Sequence, residues 1–264
     1  MVLLLAHPSI PASQSFDMRF KEILLRFLPT RARMALRKMR SRLVLRSYHG
    51  SSTSEIFSKI YERRAWGESA NPSLPFYSGS GSHDVHTVET YVEAVACFLQ
   101  SLREKPTVID VGCGDFNVGS RIREYCSSYL AVDVVPELIE YNREKFAALH
   151  VDFQVFDITS ERAPAVEVIF IRQVLQHLSN VQIRAAIGNL QESCRYLIVT
   201  EHLPAAPGFP VNLDKPAGPD IRGYIGSGVV LSLPPFCVVA KSVQELCRVL
   251  DEDGYIVTSV YEFR

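Results

Sequence analysis

These 264 residues contain no apolar run long enough to cross a bilayer. There are six cysteines (Cys97, Cys113, Cys126, Cys194, Cys237, Cys247), and none sits in a Cys-x-x-Cys pair. That spacing argues against a zinc site or a disulfide scaffold; no metal is expected, and the pattern fits a reducing cytoplasm. The dinucleotide fingerprint G-x-G-x-x-G is missing. Net charge is only −1, so the chain as a whole is not built for a polyanion. The apolar start, residues 1–6, has no basic leader, and a signal peptide is not expected. Tryptophan occurs once, at Trp66. What remains is ordinary globular composition, enough for a full core in one main domain.

The most informative segment present is Val108-Ile109-Asp110-Val111-Gly112-Cys113-Gly114. An apolar run that ends in an acid and breaks into two glycines reads as a buried strand feeding a tight turn. Glycines there let the backbone approach a ligand. About twenty residues on, Tyr129-Leu130-Ala131-Val132-Asp133 repeats the pattern. In open α/β sheets ligands lie beyond the carboxyl ends of the strands, and an acid ending the second strand can grip a ribose. Asp115 follows Gly114 directly and would repel a pyrophosphate. It suits a positively charged cofactor, such as S-adenosyl-L-methionine (SAM) with its sulfonium and ammonium.

The segment 109–119 resembles motif I of the class I SAM-dependent methyltransferases. Three further segments follow in that family's order: Asp133 with Val134, then Val155-Phe156-Asp157-Ile158, then Val168 through Leu178. The resemblance implies that Gly112, Cys113 and Gly114 form the cofactor loop and that Asp110 anchors it or reaches the methionine ammonium. It implies a ribose contact for Asp133, an adenine contact for Asp157, and apolar contacts for Val134 and Ile158. Asp115 is expected at the methionyl end, as a helix N-cap, or both. Arg172, Gln173 and Val174 would line the methionine moiety and meet the substrate. A narrower resemblance, to a bacterial subfamily, rests on Ala65-Trp66-Gly67, Ser78-Gly79-Ser80-Gly81-Ser82 and Cys113-Gly114-Asp115-Phe116-Asn117. Val118 stands where that subfamily has tryptophan. It implies that Trp66, Gly81 and Ser82 close over the cofactor.

Methyl transfer is an in-line displacement that needs alignment, and a base only where the acceptor keeps its proton. His177 is either that base or a loop histidine; His202 and Arg172 are the other catalytic candidates. The expected reaction is SAM-dependent methyl transfer to an oxygen or nitrogen of a small molecule, a sugar or natural-product intermediate among them. A non-catalytic SAM-binding protein remains as a rival. So does an aminopropyl transferase, although Arg172 follows the fourth strand where such enzymes favour acids. No Asn-Pro-Pro-Tyr-type motif is present, which disfavours a nucleic-acid acceptor.

The expected fold is α/β: a Rossmann-like seven-stranded methyltransferase sheet with a helical N-terminal extension (1–52) and a substrate-facing insertion (202–240) after strand five. Strands are predicted at 107–111, 129–133, 152–156, 166–171, 195–201 and 255–263. Helices are predicted at 54–64 (capped by Ser54), 85–102, 118–126, 136–147, 181–194 and 242–250. The last of these rests on Ser242 with Glu245 three residues on, a capping-box pattern. A seventh strand is sought near 229–233. Residues 1–50 hold ten Lys/Arg and two acids. They read as amphipathic helices broken at Pro29, either a solvated lid or, through residues 19–46, a weak contact with an anionic surface. In the insertion, Asp220, Arg222 and Tyr224 are candidate acceptor contacts.

Overall fold

The computed structural model describes residues 48, 50–69, 71, 74–251 and 254–264. They lie within one compact unit, residues 44–264. The basic segment 19–46 and nearly all of the expected 1–52 extension lie outside the described residues.

A seven-stranded sheet in the order β3-β2-β1-β4-β5-β7-β6 forms the centre. Its strands are β1 (Thr107–Val111), β2 (Ser128–Asp133), β3 (Asp152–Val155), β4 (Val166–Arg172), β5 (Cys194–Pro204), β6 (Ser242–Asp251) and β7 (Gly254–Glu262). The first five are parallel, and β7 runs antiparallel to both β5 and β6. The helices are α1 (Thr53–Glu62), α2 (Val85–Ser101), α3 (Gly119–Ile122), α4 (Pro136–Lys145) and α5 (Asn180–Leu190).

Side chains alternate along each strand, so the sheet sorts residues onto two faces. Ile109, Val111, Ile169, Ile171, Leu197 and Val199 pack against α1 and α5. Val108, Val168, Phe170, Tyr196 and Ile198 pack against α2. This parity also sorts the polar residues at the strand ends. Asp110 and Arg172 share the α2 face, whereas Glu201 belongs to the other.

Local chemistry sets the helix starts. Ser52 and Glu55 form a reciprocal capping box on α1, and Ser179 and Gln182 do the same on α5. Pro136 occupies the first turn of α4. The α1 cap is thus Ser52, two residues before the expected Ser54. The Ser54 hydroxyl instead donates to the Val134 carbonyl at 2.6 Å and ties α1 to the end of β2.

Two expectations are overturned at the C-terminus. Residues 242–250 are strand β6, not a helix, and residues 229–233 are not a strand. β6 pairs with β7 from Ser242↔Glu262 to Asp251↔Gly254. A bulge between Glu245 and Cys247 breaks the two-residue alternation. What survives in the sequence imitates a helical period. Glu245 engages Arg248 in two hydrogen bonds (2.9 and 2.6 Å) rather than capping a helix. Val229, Leu231 and Val238 are buried coil that seals the α1–α5 layer. Among the described residues no helix is long and apolar enough to cross a membrane, and no group of side chains is arranged to hold a metal.

Ser52→Ala should cost about 1 kcal/mol. For a domain of this size that lowers the melting temperature by about 2–4 °C in a thermal scan, and Ser52→Asp should restore most of it.

Candidate cofactor and acceptor site

The loop after β1 turns back over the sheet through Gly112 (φ +70°) and Gly114 (φ +56°). A Cβ at Gly112 would stand 2.4 Å from Val174 Cγ2, and one at Gly114 would stand 2.4 Å from Ser78 Oγ. The loop is therefore shaped for close approach on both sides. Asp133, 8% exposed, pins it. Its carboxylate accepts from Gly114 N (3.2 Å) and from Val135 N (3.2 Å), joining the loops after β1 and β2. Burial pushes this carboxyl up to about 6. The fully buried Asn142 of α4 donates to the Gly114 carbonyl at 2.7 Å from below. Burial also raises the Cys113 thiol well above its ordinary value, with Asp133 adding to the effect, so Cys113 stays a thiol.

Behind the loop, on the α2 face, lies a polar cavity lined by Asp110, Arg172, Ser82, Asn117 and Tyr91 among others. Asp110 accepts from the Tyr129 hydroxyl at 2.9 Å, and burial lifts it to about 6. Arg172 lies over the Tyr91 ring (4.9 Å) and donates to the Gly81 carbonyl (2.6 Å) and the Ser82 hydroxyl (3.3 Å). Its buried Nε has no partner. An opposed carboxylate and guanidinium on one sheet face form a pair suited to an amino-acid zwitterion.

Asp115 also lines this cavity and ties the chain around it. It accepts from Ser78 N (3.0 Å) and Asn117 N (3.3 Å) and lies 2.6 Å from His83 Nε2, while its own N–H donates to Ser78 Oγ (2.8 Å). Asn117 holds the Ser82 carbonyl at 2.7 Å. These bonds strap residues 78–83 across the loop. Gly81 lies against the Gln173 amide, which a Cβ there would have to displace. Tyr61 of α1 closes the end of the strap, its hydroxyl 3.0 Å from Ser78 Oγ.

Gln173 sits at φ +56°, a strained turn that follows β4 directly. The next residues form a short 3-10 turn, Leu175–His177. Its Leu175 N–H donates to Glu201 Oε1 at 3.1 Å. The His177 ring packs on Trp66 (centroids 5.0 Å) and Phe57 (6.4 Å), with Nδ1 3.2 Å from the Gly218 carbonyl. Burial, helped by the Lys215 charge, lowers His177 to about 3. The ring forms a wall with Trp66 and Phe57. Trp66 Nε1 donates to the Pro219 carbonyl at 3.1 Å, closing the wall against the insertion.

Three sequence candidates are engaged in bonds of their own. His202 points to the opposite sheet face from Glu201, with Nε2 3.3 Å from Asp251. Asp157 forms a local turn, its Oδ1 accepting from Thr159 N (2.8 Å) and Thr159 Oγ1 (2.7 Å); the neighbouring Ile158 is buried. Arg222 has no exposed surface and donates to the Leu213 and Leu178 carbonyls, so it stitches the insertion down rather than meeting solvent. Tyr224 is 36% exposed.

Sequence reasoning passed over Glu201 and Lys215. Glu201, 3% exposed, is pushed by burial to about 8, with Arg222 pulling the other way. Lys215, 9% exposed, is lowered by burial to about 7. Only the acid ending strand five was visible in the chain as a signal. Asn142 carries no motif of its own, whereas Ser78 belongs to the Ser78–Ser82 segment.

Residues 109–195 match the family described as Methyltransferase domain. In fold, the chain is similar to the N-methyltransferase NodS of Bradyrhizobium japonicum solved with S-adenosyl-L-homocysteine (SAH). The TM-score is 0.56 at 16% identity, over 78% of this chain and 97% of that one. It is also similar, at TM-score 0.49 and 16% identity, to magnesium protoporphyrin IX methyltransferase of Synechocystis PCC 6803 (84% and 100% covered). No curated protein matches the sequence. Residues 109–195 thus carry a methyltransferase-domain match, and the chain shares its fold with a solved methyltransferase.

A carboxyl whose folded pKa is raised stabilises the fold fully below its unfolded pKa, and the contribution is lost as pH rises through the folded value. For Glu201 that window runs from about 4.5 to about 8. Replacing it by Gln removes the term. The unfolding free energy of Glu201→Gln, measured in urea, should therefore improve relative to wild type as pH rises from about 5 to 8. A difference flat with pH would contradict the placement of this carboxyl.

Proposed function

We propose that the chain transfers a methyl group from SAM to an oxygen or nitrogen of a small-molecule acceptor. The observation that carries this reading is the pair of loops held by Asp133 beside the Asp110–Arg172 cavity. In it, Asp133 meets the ribose hydroxyls; its two oxygens each keep a lone pair beyond the Gly114 and Val135 bonds. Arg172 Nε and Asp110 take the methionyl carboxylate and ammonium. Val174, packed over Gly112, supports the methionine chain. Val134 and Ile158 flank the adenine, with Asp157 toward its amino group. The cofactor supplies an activated methyl on a positively charged sulfur. The protein supplies alignment, a strap that excludes water, and a wall of Trp66 and His177 toward the acceptor. The cysteine pattern supports a cytoplasmic setting, and the acidic balance of residues 51–264 supports a small molecule over nucleic acid.

Calorimetric titration with SAH, with NAD and ATP as controls, tests the cofactor site. SAH alone should bind. Asp133→Ala and Arg172→Ala should each weaken it about tenfold or more, a loss of about 1.4 kcal/mol, while His202→Ala leaves it unchanged. If Asp133→Ala binds SAH as tightly as wild type, the site assignment fails.

A further inference from the structure

The insertion is stitched onto the turn after β4. Gly218 N donates to the His177 carbonyl (3.0 Å), Arg222 Nη2 to the Leu178 carbonyl (2.7 Å), and Asn180 N to Asp214 Oδ1 (2.8 Å). Asn212, at 4% exposure, accepts from Val230 N and donates to three carbonyls of the same segment. This well-fixed loop encloses groups whose hydrogen-bonding capacity is incomplete. Glu201 Oε2 and Gln176 Oε1 are buried without a partner. The Lys215 ammonium donates to the Pro216 carbonyl at 3.0 Å, leaving two of its three N–H groups. Buried polar atoms of this kind are costly unless something completes them. Gly218 and Pro219, three and four residues on from Lys215, bond to His177 and to Trp66 Nε1, which brings this stretch of the insertion to the Trp66–His177 wall.

We propose that Lys215, Glu201 and Gln176 form the polar end of the acceptor site, and that the acceptor presents neutral hydroxyls, as a polyol or sugar ring does, with Trp66 as its apolar platform. A hydroxyl accepts from the Lys215 N–H groups, donates to Gln176 Oε1, and can accept from or donate to Glu201 Oε2 according to that carboxyl's protonation, so one group type satisfies all three. An ammonium is disfavoured. The enclosed cations, Lys215 and Arg222, outnumber the enclosed Glu201, and the acids Asp214 and Asp220 lie at the more exposed rim. A half-buried indole offers the flat apolar face that a sugar ring covers. The assignment favours oxygen over nitrogen as the methylated atom, and it rests on the cofactor reading above.

The test uses the full chain saturated with SAH. Saturation-transfer difference NMR is run with methyl α-D-glucopyranoside, methyl β-D-galactopyranoside and methyl α-L-rhamnopyranoside, and with 1,5-diaminopentane as the amine probe. Emission from Trp66, the single tryptophan, reports whether binding occurs at this wall. At least one glycoside should give ring-proton signals and shift that emission, and the diamine should do neither. Lys215→Met and Glu201→Gln should each weaken glycoside binding about tenfold while SAH affinity holds; Lys215→Gln replaces the first variant if it fails to fold. A diamine signal, silence from all glycosides on SAH-loaded protein, or a glycoside signal that survives both substitutions overturns the proposal. Failure of SAH itself to bind would instead overturn the cofactor reading.

Discussion

The carboxylate of Asp133 is the constraint on which the site depends. It stands at the end of β2 and accepts backbone N–H groups from the loop after β1 and from the start of α4. Two loops far apart in sequence are thereby fixed relative to each other by one side chain. Gly112 and Gly114 can then come close to their neighbours without a side chain in the way, and Asn142 holds the Gly114 carbonyl from beneath. The carboxylate is buried, which makes its ionised form costly unless positive or N–H partners surround it. A cofactor that carries positive charge and hydroxyl donors relieves that cost, whereas a pyrophosphate would add to it.

The strand parity does the next sorting. Alternation along β1 and β4 brings Asp110 and Arg172 to the α2 face, where α2 supplies Tyr91 beneath the guanidinium. The same alternation along β5 sends Glu201 to the opposite face, under the insertion, and His202 back toward Asp251. A one-residue difference at the end of β5 thus separates a group that supports the turn after β4 from one that packs against the β6–β7 hairpin. The strap of residues 78–83 joins the two loops, because Asp115 and Asn117 hold it on one side and Arg172 on the other.

Much of this was legible in the chain. Strands β1, β2, β4 and β5 announce themselves as apolar runs, since they are largely buried within the sheet, whereas the edge strand β3 buries only Phe153. The loop glycines and Asp133 stand out because close approach and an acid at a strand end need those residue types. The reading failed where two signals coincide. Ser242 and Glu245 satisfy a capping box, and the bulge at Glu245/Cys247 removes the alternation that would have betrayed β6. The pairing with β7, which is long-range, decided the outcome, and no local pattern encodes it. Arg222 misled for a related reason. An arginine in a Pro- and Gly-rich segment looks solvent-facing, and only the fold shows its nitrogens bonded to the Leu178 and Leu213 carbonyls. His177 could not be decided from sequence at all, because burial between Trp66 and Phe57, not residue type, is what keeps it neutral.

The division of labour between sheet and insertion follows from these placements. The sheet ends must keep a fixed geometry for one cofactor, so their loops are tied by backbone hydrogen bonds to Asp133 and Asp115. Beyond the end of β5 at Pro204 the insertion carries no α-helix or strand, yet it is held by side chain to carbonyl bonds from Arg222 and Asn212. Such a segment can exchange its inward residues without disturbing β5 or β7, because few of its bonds run to the sheet backbone. Specificity for an acceptor can therefore change in residues 212–222 while the cofactor loops stay as they are. The groups left incompletely bonded, Glu201 Oε2 and Gln176 Oε1, lie at that boundary, where a fixed scaffold meets a replaceable wall.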